Sequence, residues 1–195
     1  VLRMKIIVVG EATVGKSAFV QMVHSGGVTF PKNYMMTLGC DLCVKEIQID
    51  INTTVEVFLY DIAGQKAYEQ MCTQYMDGAS AFLLLYDVSN KATFETCKKW
   101  VERARKQNKT LPGILVANKV DLMDKAETTD SQGEIFARAN QLRFFKSSAL
   151  RGVGISEPIE ELAKLHVQNY NERCRALVNL KQSNTWYIYL IISFN

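Results

Sequence analysis

The segment Gly10-Glu11-Ala12-Thr13-Val14-Gly15-Lys16-Ser17 decides the fold, because it has the spacing GxxxxGK[ST] of a phosphate-binding loop. It directly follows the apolar run Ile6-Ile7-Val8-Val9 and leads into the helix-compatible segment Ala18-Phe19-Val20-Gln21-Met22. Gly10 and Gly15 allow the backbone to wrap so that several N–H groups point at phosphate oxygens. The helix that follows directs the positive end of its dipole at the same anion. The sequence therefore predicts a strand, a phosphate-binding loop and a helix, in this order.

Side chains at the end of the loop have the chemistry that a nucleoside triphosphate requires. Lys16 places a positive charge at the β- and γ-phosphates, and the Ser17 hydroxyl can ligate Mg²⁺. We therefore expect the phosphates to bind at these residues of the loop and the first helical turn: Gly10, Ala12, Thr13, Val14, Gly15, Lys16, Ser17 and Ala18.

Two further motifs each follow an apolar, strand-like run, and they are Asp61-Ile62-Ala63-Gly64-Gln65 and Asn118-Lys119-Val120-Asp121. Ligands of an open parallel sheet bind beyond the carboxyl ends of the strands, so we expect all three motifs at one edge. Asp61 is expected to hold Mg²⁺ through water, and the Gly64 N–H to meet a γ-phosphate. Asp121 offers a carboxylate to the ring N–H and exocyclic amine of guanine. A site of this kind rejects adenine by about 10⁴-fold or more.

Hydropathy patterns predict the sheet around these motifs. The runs Ile6–Val9, Ala81–Tyr86 and Ile114–Ala117 do not alternate with polar residues, as expected of strands buried on both faces of a mostly parallel sheet. Residues 47–51 and 55–57 do alternate, which predicts a hairpin near the sheet edge. Strands that alternate with helices indicate a three-layer α/β domain.

Helical spacing fills the intervals between the strands. Phe94, Cys97, Val101 and Ala104 form an apolar stripe, for which Ser89 is the predicted N-terminal cap. A second stripe runs from Ile159 to Tyr170 after Ser156 and Pro158, and it includes His166, for which a packing role is favoured over metal binding. Residues 1–180 are predicted to form one domain. Residues 181–195 form a hydrophobic tail that is a strand added to a partner's sheet, an interfacial membrane anchor, or not part of an ordered fold.

Composition excludes several classes of protein. A net charge of +3 over 195 residues argues against nucleic acid as an obligatory partner, and we interpret the basic run Lys98–Lys109 as the solvated face of a helix. The odd number of cysteines, 5, does not form a secreted disulfide framework. Cys40 and Cys43 are predicted to lie on opposite faces of a strand as buried structural thiols. No apolar run approaches the roughly 20 residues that span a bilayer, and we expect no signal peptide.

The motifs together resemble the Ras-like small GTPases over residues 3–178. Asn118-Lys119-x-Asp121 is the guanine motif of that family, and Ser147-Ser148-Ala149 matches its fifth motif, with Ala149 expected to approach the guanine oxygen. Leu150 stands where a lysine is common. The resemblance implies a P-loop nucleoside-triphosphatase fold of three αβα layers, with a mostly parallel six-stranded sheet and one antiparallel edge strand. It also implies GTP or GDP and Mg²⁺ as cofactors.

The same resemblance assigns the remaining site residues. Phe30 falls where an aromatic side chain lies against the guanine edge, Tyr34 where a tyrosine closes over the phosphates, and Thr37 where a threonine ligates Mg²⁺ and contacts the γ-phosphate. The implied metal ligands are Ser17, Thr37 and Asp61, the catalytic residues are Gln65, Lys16 and Thr37, and the base-side residues are Asn118, Lys119, Asp121, Ser148, Ala149 and Leu150. Gln65 keeps hydrolysis possible, and without an arginine in cis we expect a slow intrinsic rate, on the order of 10⁻⁴ s⁻¹ at best.

Within this family the segment Tyr34–Asp41 is similar to the Rab pattern Y-x-x-T-x-G-x-D. Tyr60 and Gln65-Lys66-Ala67 depart from the usual Rab residues, and Cys174 is the last cysteine, so we expect no prenyl anchor. The phosphate loop and the segment Thr37–Lys45 are most similar to the Rab-like GTPases of intraflagellar transport.

That closer similarity implies a subunit of intraflagellar transport complex B, located in the cytoplasm, the cilium or flagellum and its base. It implies a heterodimer with a small β-sandwich subunit, contacts with other complex subunits, and regulation by an exchange factor and a GTPase-activating protein. Two alternatives remain open. One is an atypical Rab of vesicle trafficking, and the other is a structural G-domain subunit whose partner binds regardless of nucleotide.

Overall fold

The structure is a computed structural model that describes residues 1–33 and 35–193, without the side chains of Glu69 and residues 180–193. Its strands are β1 (Leu2–Val9), β2 (Cys40–Asp50), β3 (Thr53–Ile62), β4 (Ala81–Asp87), β5 (Gly113–Asn118) and β6 (Arg143–Lys146). Its helices are α1 (Lys16–His24), α2 (Glu69–Met76), α3 (Lys91–Glu95), α4 (Cys97–Ala104), α5 (Asp130–Ala139) and α6 (Glu157–Ser193). Short 3₁₀ turns occupy Lys66–Tyr68 and Val120–Lys125.

The six strands form one sheet in the order β2-β3-β1-β4-β5-β6, and every neighbouring pair is parallel except the antiparallel pair β2–β3. This confirms the predicted sheet and its antiparallel edge strand. Every residue of β4 and β5 is buried, as the continuous apolar runs predict, whereas exposed and less exposed residues alternate along much of β2.

Helices cover both faces of the sheet. One apolar cluster packs α1 and α6 against the sheet through residues such as Phe19 and Leu162. The other packs the opposite face against α2, α4 and α5 through Cys72, Trp100 and Ala137. The domain is therefore a three-layer αβα sandwich, with the carboxyl ends of its parallel strands at one edge.

The predicted cap and helix after β4 are wrong in detail. The Asn90 side chain caps α3 by accepting from the Ala92 N–H at 3.1 Å, whereas the Ser89 hydroxyl donates to the Asp87 carboxylate at 2.7 Å. The carboxylate that ends β4 thus competes for the serine. The single predicted helix is interrupted at Thr96, whose hydroxyl donates to the Thr93 carbonyl at 2.9 Å and so competes with the backbone ladder.

The cysteines of β2 lie on opposite faces, as predicted, because Cys40 packs against one apolar cluster and Cys43 against the other. Both are half-buried rather than buried, since β2 is the uncovered edge strand. Among the described residues, no three histidine, cysteine or acidic side chains lie close enough to hold a metal. His166 is half-buried on α6, where desolvation lowers its pKa, which fits the predicted packing role.

The predicted hydrophobic tail begins inside α6. The backbone of residues 181–193 continues this helix rather than forming the strand that was one alternative. The side chains that would carry a binding or membrane role lie outside the described residues, as do residues 194 and 195. Within the described part of the chain, no helix has the length and apolarity to cross a bilayer.

Candidate functional site

The phosphate loop follows β1 at the carboxyl edge of the sheet, and its two glycines are required by close backbone approaches. Gly10 has φ 141°, and a Cβ atom there would lie 2.3 Å from the Leu85 carbonyl oxygen. Gly15 has φ 95°, and its Cβ would lie 2.6 Å from the side-chain nitrogen of Asn118. Because no L side chain fits either position without displacing its neighbour, the sequence pattern and the local geometry have the same cause.

The Lys16 ammonium lies over this loop. Its Nζ donates to the carbonyl oxygens of Gly10 at 3.0 Å and of Glu11 at 2.7 Å. Burial lowers the pKa of Lys16 to about 8, although the nearby Asp61 and Glu11 carboxylates oppose this shift. The unfolded chain therefore binds the Lys16 proton more tightly than the folded chain does. Because only the unfolded chain keeps this proton between about pH 8 and 10.5, the free energy of unfolding increases as the pH rises from about 8 towards 10.5. At neutral pH the buried charge is a cost, which an anion in the loop would offset.

Three side-chain oxygens from separate segments meet beside the loop. The hydroxyls of Ser17 and Thr37 both donate to Oδ2 of Asp61, Thr37 at 3.1 Å, and the two hydroxyl oxygens are 2.9 Å apart. Asp61 is 1% exposed, and its Oδ1 has no hydrogen-bond partner among the described residues. Desolvation raises the pKa of Asp61 against the opposing effect of Ser17 and Lys16. The cluster offers a hard divalent cation oxygen ligands, the kind that it prefers.

A cavity of about 640 Å³ opens beside these groups. Its lining comes from the phosphate loop and the start of α1, from the segments Phe30–Asn33 and Met35–Thr37, and from Ala63–Gln65. Gly64 approaches the loop so closely that a Cβ there would lie 2.5 Å from the Ala12 nitrogen. Lys16, Ser17, Thr37 and Gly64 thus face one cavity, whereas Asp61 lies outside its lining and borders a different cavity together with Ser17.

Two side chains of this lining meet above the loop. Nε2 of Gln65 donates to Sδ of Met36 at 2.9 Å. Gln65 is thereby joined to the segment that also carries Thr37. Tyr34, the predicted phosphate-covering residue, lies outside the described residues.

The guanine motif after β5 is joined to the phosphate loop by one buried amide. Nδ2 of Asn118 donates to the Val14 carbonyl at 2.8 Å, and its Oδ1 accepts from the Ser147 hydroxyl at 3.0 Å. Asn118 is 0% exposed. Lys119 has φ 65°, and its Nζ pairs with Oδ2 of Asp87 at 2.5 Å. Asn118 therefore positions the loop, and the Asp87 pair fixes the direction of Lys119.

The carboxylate predicted to read the base lies beside the fifth motif. Oδ1 of Asp121 accepts from the Ser148 hydroxyl, which leaves Oδ2 as the acceptor that this bond does not use. Ser148 and Ala149 are buried, whereas Leu150 is 59% exposed at the rim. These base-side residues do not line the 640 Å³ cavity, and the Asn118 bridge connects the two parts of the site.

Three contacts were not predicted from the sequence. Asp87 is the partner of Lys119, Met36 is the partner of Gln65, and Nε1 of Trp100 donates to Oε1 of Glu11 at 3.1 Å. Asp87 ends β4 at the same edge as the other motifs, so the strand-end criterion was sufficient to find it. The other two contacts join distant segments and have no signal in the sequence.

Comparison with known proteins gives an independent result. A family model described as the Ras family matches residues 5–168. The intraflagellar transport protein 27 homolog of Trypanosoma brucei brucei is 53% identical over 180 residues, which cover 92% of this chain and 98% of that protein. The Mus musculus homolog is 37% identical over 175 residues, with coverages of 88% and 94%. The Ypt/Rab-type GTPase ypt7 of Schizosaccharomyces pombe is 31% identical over 173 residues, with coverages of 85% and 83%.

Proposed function

Because the chain belongs to the Ras family of small GTPases and to its Rab-like part, we propose that it is a guanine-nucleotide-dependent switch of intraflagellar transport. The observation that best supports a switch is that Ser17, Thr37 and Asp61 place oxygens from three separate segments at one point beside the phosphate loop. A ligand at this point changes the conformational equilibrium of the Thr37 segment if it binds one arrangement more tightly than another.

We propose that Asp121 selects guanine. Its two carboxylate oxygens would accept from the ring N–H and the exocyclic amine, while the Ser148 hydroxyl, which also donates to Oδ1, orients the carboxylate. The buried backbone of Ala149 would approach the guanine oxygen, and Phe30, which is 38% exposed, would cover the edge of the base. Leu150 would lie at the rim, where it offers apolar contact but no charge.

Substituting Asp121→Asn should exchange guanine for xanthine. An amide offers one acceptor and one donor, which matches the ring N–H and the C2 carbonyl of xanthine but leaves the guanine amine unpaired. We expect GDP affinity to fall by about 100-fold or more and xanthosine diphosphate affinity to rise, as measured by displacement of a fluorescent nucleotide.

The matched control is Asp124→Asn, an exposed carboxyl on the same 3₁₀ turn, which should leave both affinities unchanged. Equal effects of the two substitutions would contradict base recognition by Asp121.

We also propose that Mg²⁺ binds at the oxygen cluster. The orphaned Oδ1 of buried Asp61 and the two hydroxyls fit a hard cation, with Ser17 and Thr37 as direct ligands and Asp61 acting through water. When bound, the ion neutralises charge on the β- and γ-phosphates. The protein residues then hold the phosphate loop and the Thr37 segment in one arrangement.

Removal of the cation tests this site. In the wild-type protein we expect a chelator to accelerate GDP release by about tenfold or more, because the phosphates would lose a neutralising positive charge. In Asp61→Asn, release should already be fast with Mg²⁺ present, and the chelator should add little. Asp41→Asn is the control. Asp41 lies opposite Asp61 in the register of β2 and β3, but its side chain is exposed. Chelator sensitivity that persists in Asp61→Asn would contradict the assignment.

We propose slow intrinsic GTP hydrolysis in which Gln65 orients the attacking water, and Lys16 and Thr37 contact the transferred phosphate. The bond from Gln65 to Met36 holds this amide within the cavity. A single-turnover assay should give a rate on the order of 10⁻⁴ s⁻¹, and Gln65→Leu should lower it, whereas the exposed Gln74→Leu should not. A rate near about 10⁻² s⁻¹ without any partner would contradict the prediction.

The role in intraflagellar transport follows from the similarity to the intraflagellar transport protein 27 homologs along nearly the whole chain. We propose that the protein is a subunit of complex B, pairs with a small β-sandwich subunit, and acts in the cytoplasm, at the base of the cilium or flagellum and within it. An exchange factor and a GTPase-activating protein would set its nucleotide state.

A pull-down from ciliated cells, with GDP or a non-hydrolysable GTP analogue present, tests this role. We expect a small partner in equal amount together with transport-complex subunits, and at least one partner that differs between nucleotides. Identical partners in both states would favour the structural-subunit alternative. Recovery of vesicle tethers and a prenylation escort would instead support an atypical Rab of vesicle trafficking.

A further inference from the structure

A second cavity, of about 300 Å³, lies between α2 and α4 on the side of the sheet away from α1. Its floor is apolar and includes Cys72 and Trp100, which are 2% and 4% exposed. Its rim carries Lys66, Lys99, Arg103 and Lys106. We call this feature the α2–α4 cleft.

Among the described residues that line the cleft, basic side chains outnumber acidic ones. Glu11 is the one acidic side chain among the described lining residues, and it lies on the floor with its Oε1 bonded to Trp100 Nε1. The ammonium groups of Lys66, Lys99 and Lys106 form no ion pair or hydrogen bond with another described residue. The guanidinium of Arg103 lies 4.9 Å from the centre of the Trp100 ring.

The basic run Lys98–Lys109 is predicted above to be one solvated face of a helix. In the structure its side chains instead fall into separate groups. Lys99 and Arg103 lie one helical turn apart on α4, and Lys106 lies just after its end; all three line the cleft. Arg105 instead bonds to the carbonyls of Leu111 and Asn140, which is a structural role. Lys98 and Lys109 are exposed and do not line the cleft.

We propose that the α2–α4 cleft binds an acidic peptide segment of a partner protein, with one apolar side chain inserted over Trp100 and flanking carboxylates on the basic rim. A volume of about 300 Å³ accommodates a large side chain but not a whole helix. Charge complementarity assigns the flanks, because the ammonium groups of Lys66, Lys99 and Lys106 around an apolar floor favour acidic segments over neutral and basic ones.

The α2–α4 cleft shares lining residues with the cavity of about 640 Å³ beside the phosphate loop. Gly64 and Gln65 line both, and the carbonyl of Glu11 accepts from the Lys16 ammonium. Movement of Gly64 towards or away from a γ-phosphate therefore changes the width of the cleft. This coupling rests on the proposed switch, whereas the recognition of an acidic segment does not.

Selection from a phage-displayed library of random peptides, on the full chain loaded with GDP or with a non-hydrolysable GTP analogue, tests the proposal. Peptides retained by the wild type should be rich in Asp and Glu around one large apolar residue. The double substitution Lys99→Glu with Lys106→Glu should lower the affinity of the selected peptides for the protein by about tenfold or more. Thr73→Trp, which narrows the cleft without changing its charge, should weaken them as well.

The matched control is Lys98→Glu with Lys109→Glu, which alters the net charge equally outside the cleft and should change affinity less than about twofold. Selected peptides without acidic residues, or equal losses in the two double variants, would overturn the proposal. So would full displacement of the peptides by anionic vesicles or a polyanionic nucleic acid at equal charge concentration. Equal peptide affinity in the GDP-loaded and GTP-analogue-loaded protein would overturn only the coupling to the nucleotide. The Asp121→Asn test of guanine recognition does not depend on the outcome of these peptide experiments.

Discussion

The buried side-chain amide of Asn118 is the contact on which the rest of the site depends. It donates to the Val14 carbonyl of the phosphate loop and accepts from the Ser147 hydroxyl of the fifth motif, and it is removed from solvent. A buried amide costs free energy unless its hydrogen bonds are made, so the loop, the end of β5 and the segment after β6 are held in one relative position. Gly15 lies against this amide, where no Cβ would fit.

The parallel sheet turns this local contact into a site. Strands β1, β3, β4 and β5 end at the same edge, so Lys16, Asp61, Asp87 and Asn118 are brought together although they are distant in sequence. The fully buried strands β4 and β5 fix the positions of Asp87 and Asn118, which end them. The Thr37 segment reaches the site from outside the sheet and is held by hydroxyl–carboxylate bonds. This difference suits the proposed switch. The residues that end buried strands keep their positions, whereas a response to a γ-phosphate would be confined to the loops.

Sequence reasoning recovered the features that depend on local chemistry or on strand ends. The phosphate loop, the buried strands, the antiparallel edge and the meeting of Ser17, Thr37 and Asp61 follow from spacing, hydropathy and topology. It failed where neighbouring groups compete for one partner, as when the Asp87 carboxylate binds Ser89 and leaves the cap to Asn90.

Contacts between distant segments set the other limit. Periodicity shows that Trp100 belongs to a helix but not that its indole reaches Glu11, and a run of lysines and arginines does not reveal which of them face a cleft. Half-burial of Cys40 and Cys43 likewise depends on which strand lies at the edge of the sheet. Each of these properties is decided by packing between elements, which residue spacing along one element does not contain.

The protein alone holds this site at an energetic cost. Thr13 is β-branched and has φ 67°, a left-handed conformation that costs about 1–2 kcal/mol for an L residue. Lys16 is buried with a lowered pKa, and Asp61 is buried with one oxygen unpartnered. A phosphate anion and a hard cation oppose these two electrostatic penalties directly, so a ligand that brings both stabilises the folded chain by its binding free energy. The residues proposed to recognise the nucleotide would therefore make the stability of the phosphate loop and of the Thr37 segment depend on it, and that dependence is the physical basis of the proposed switch.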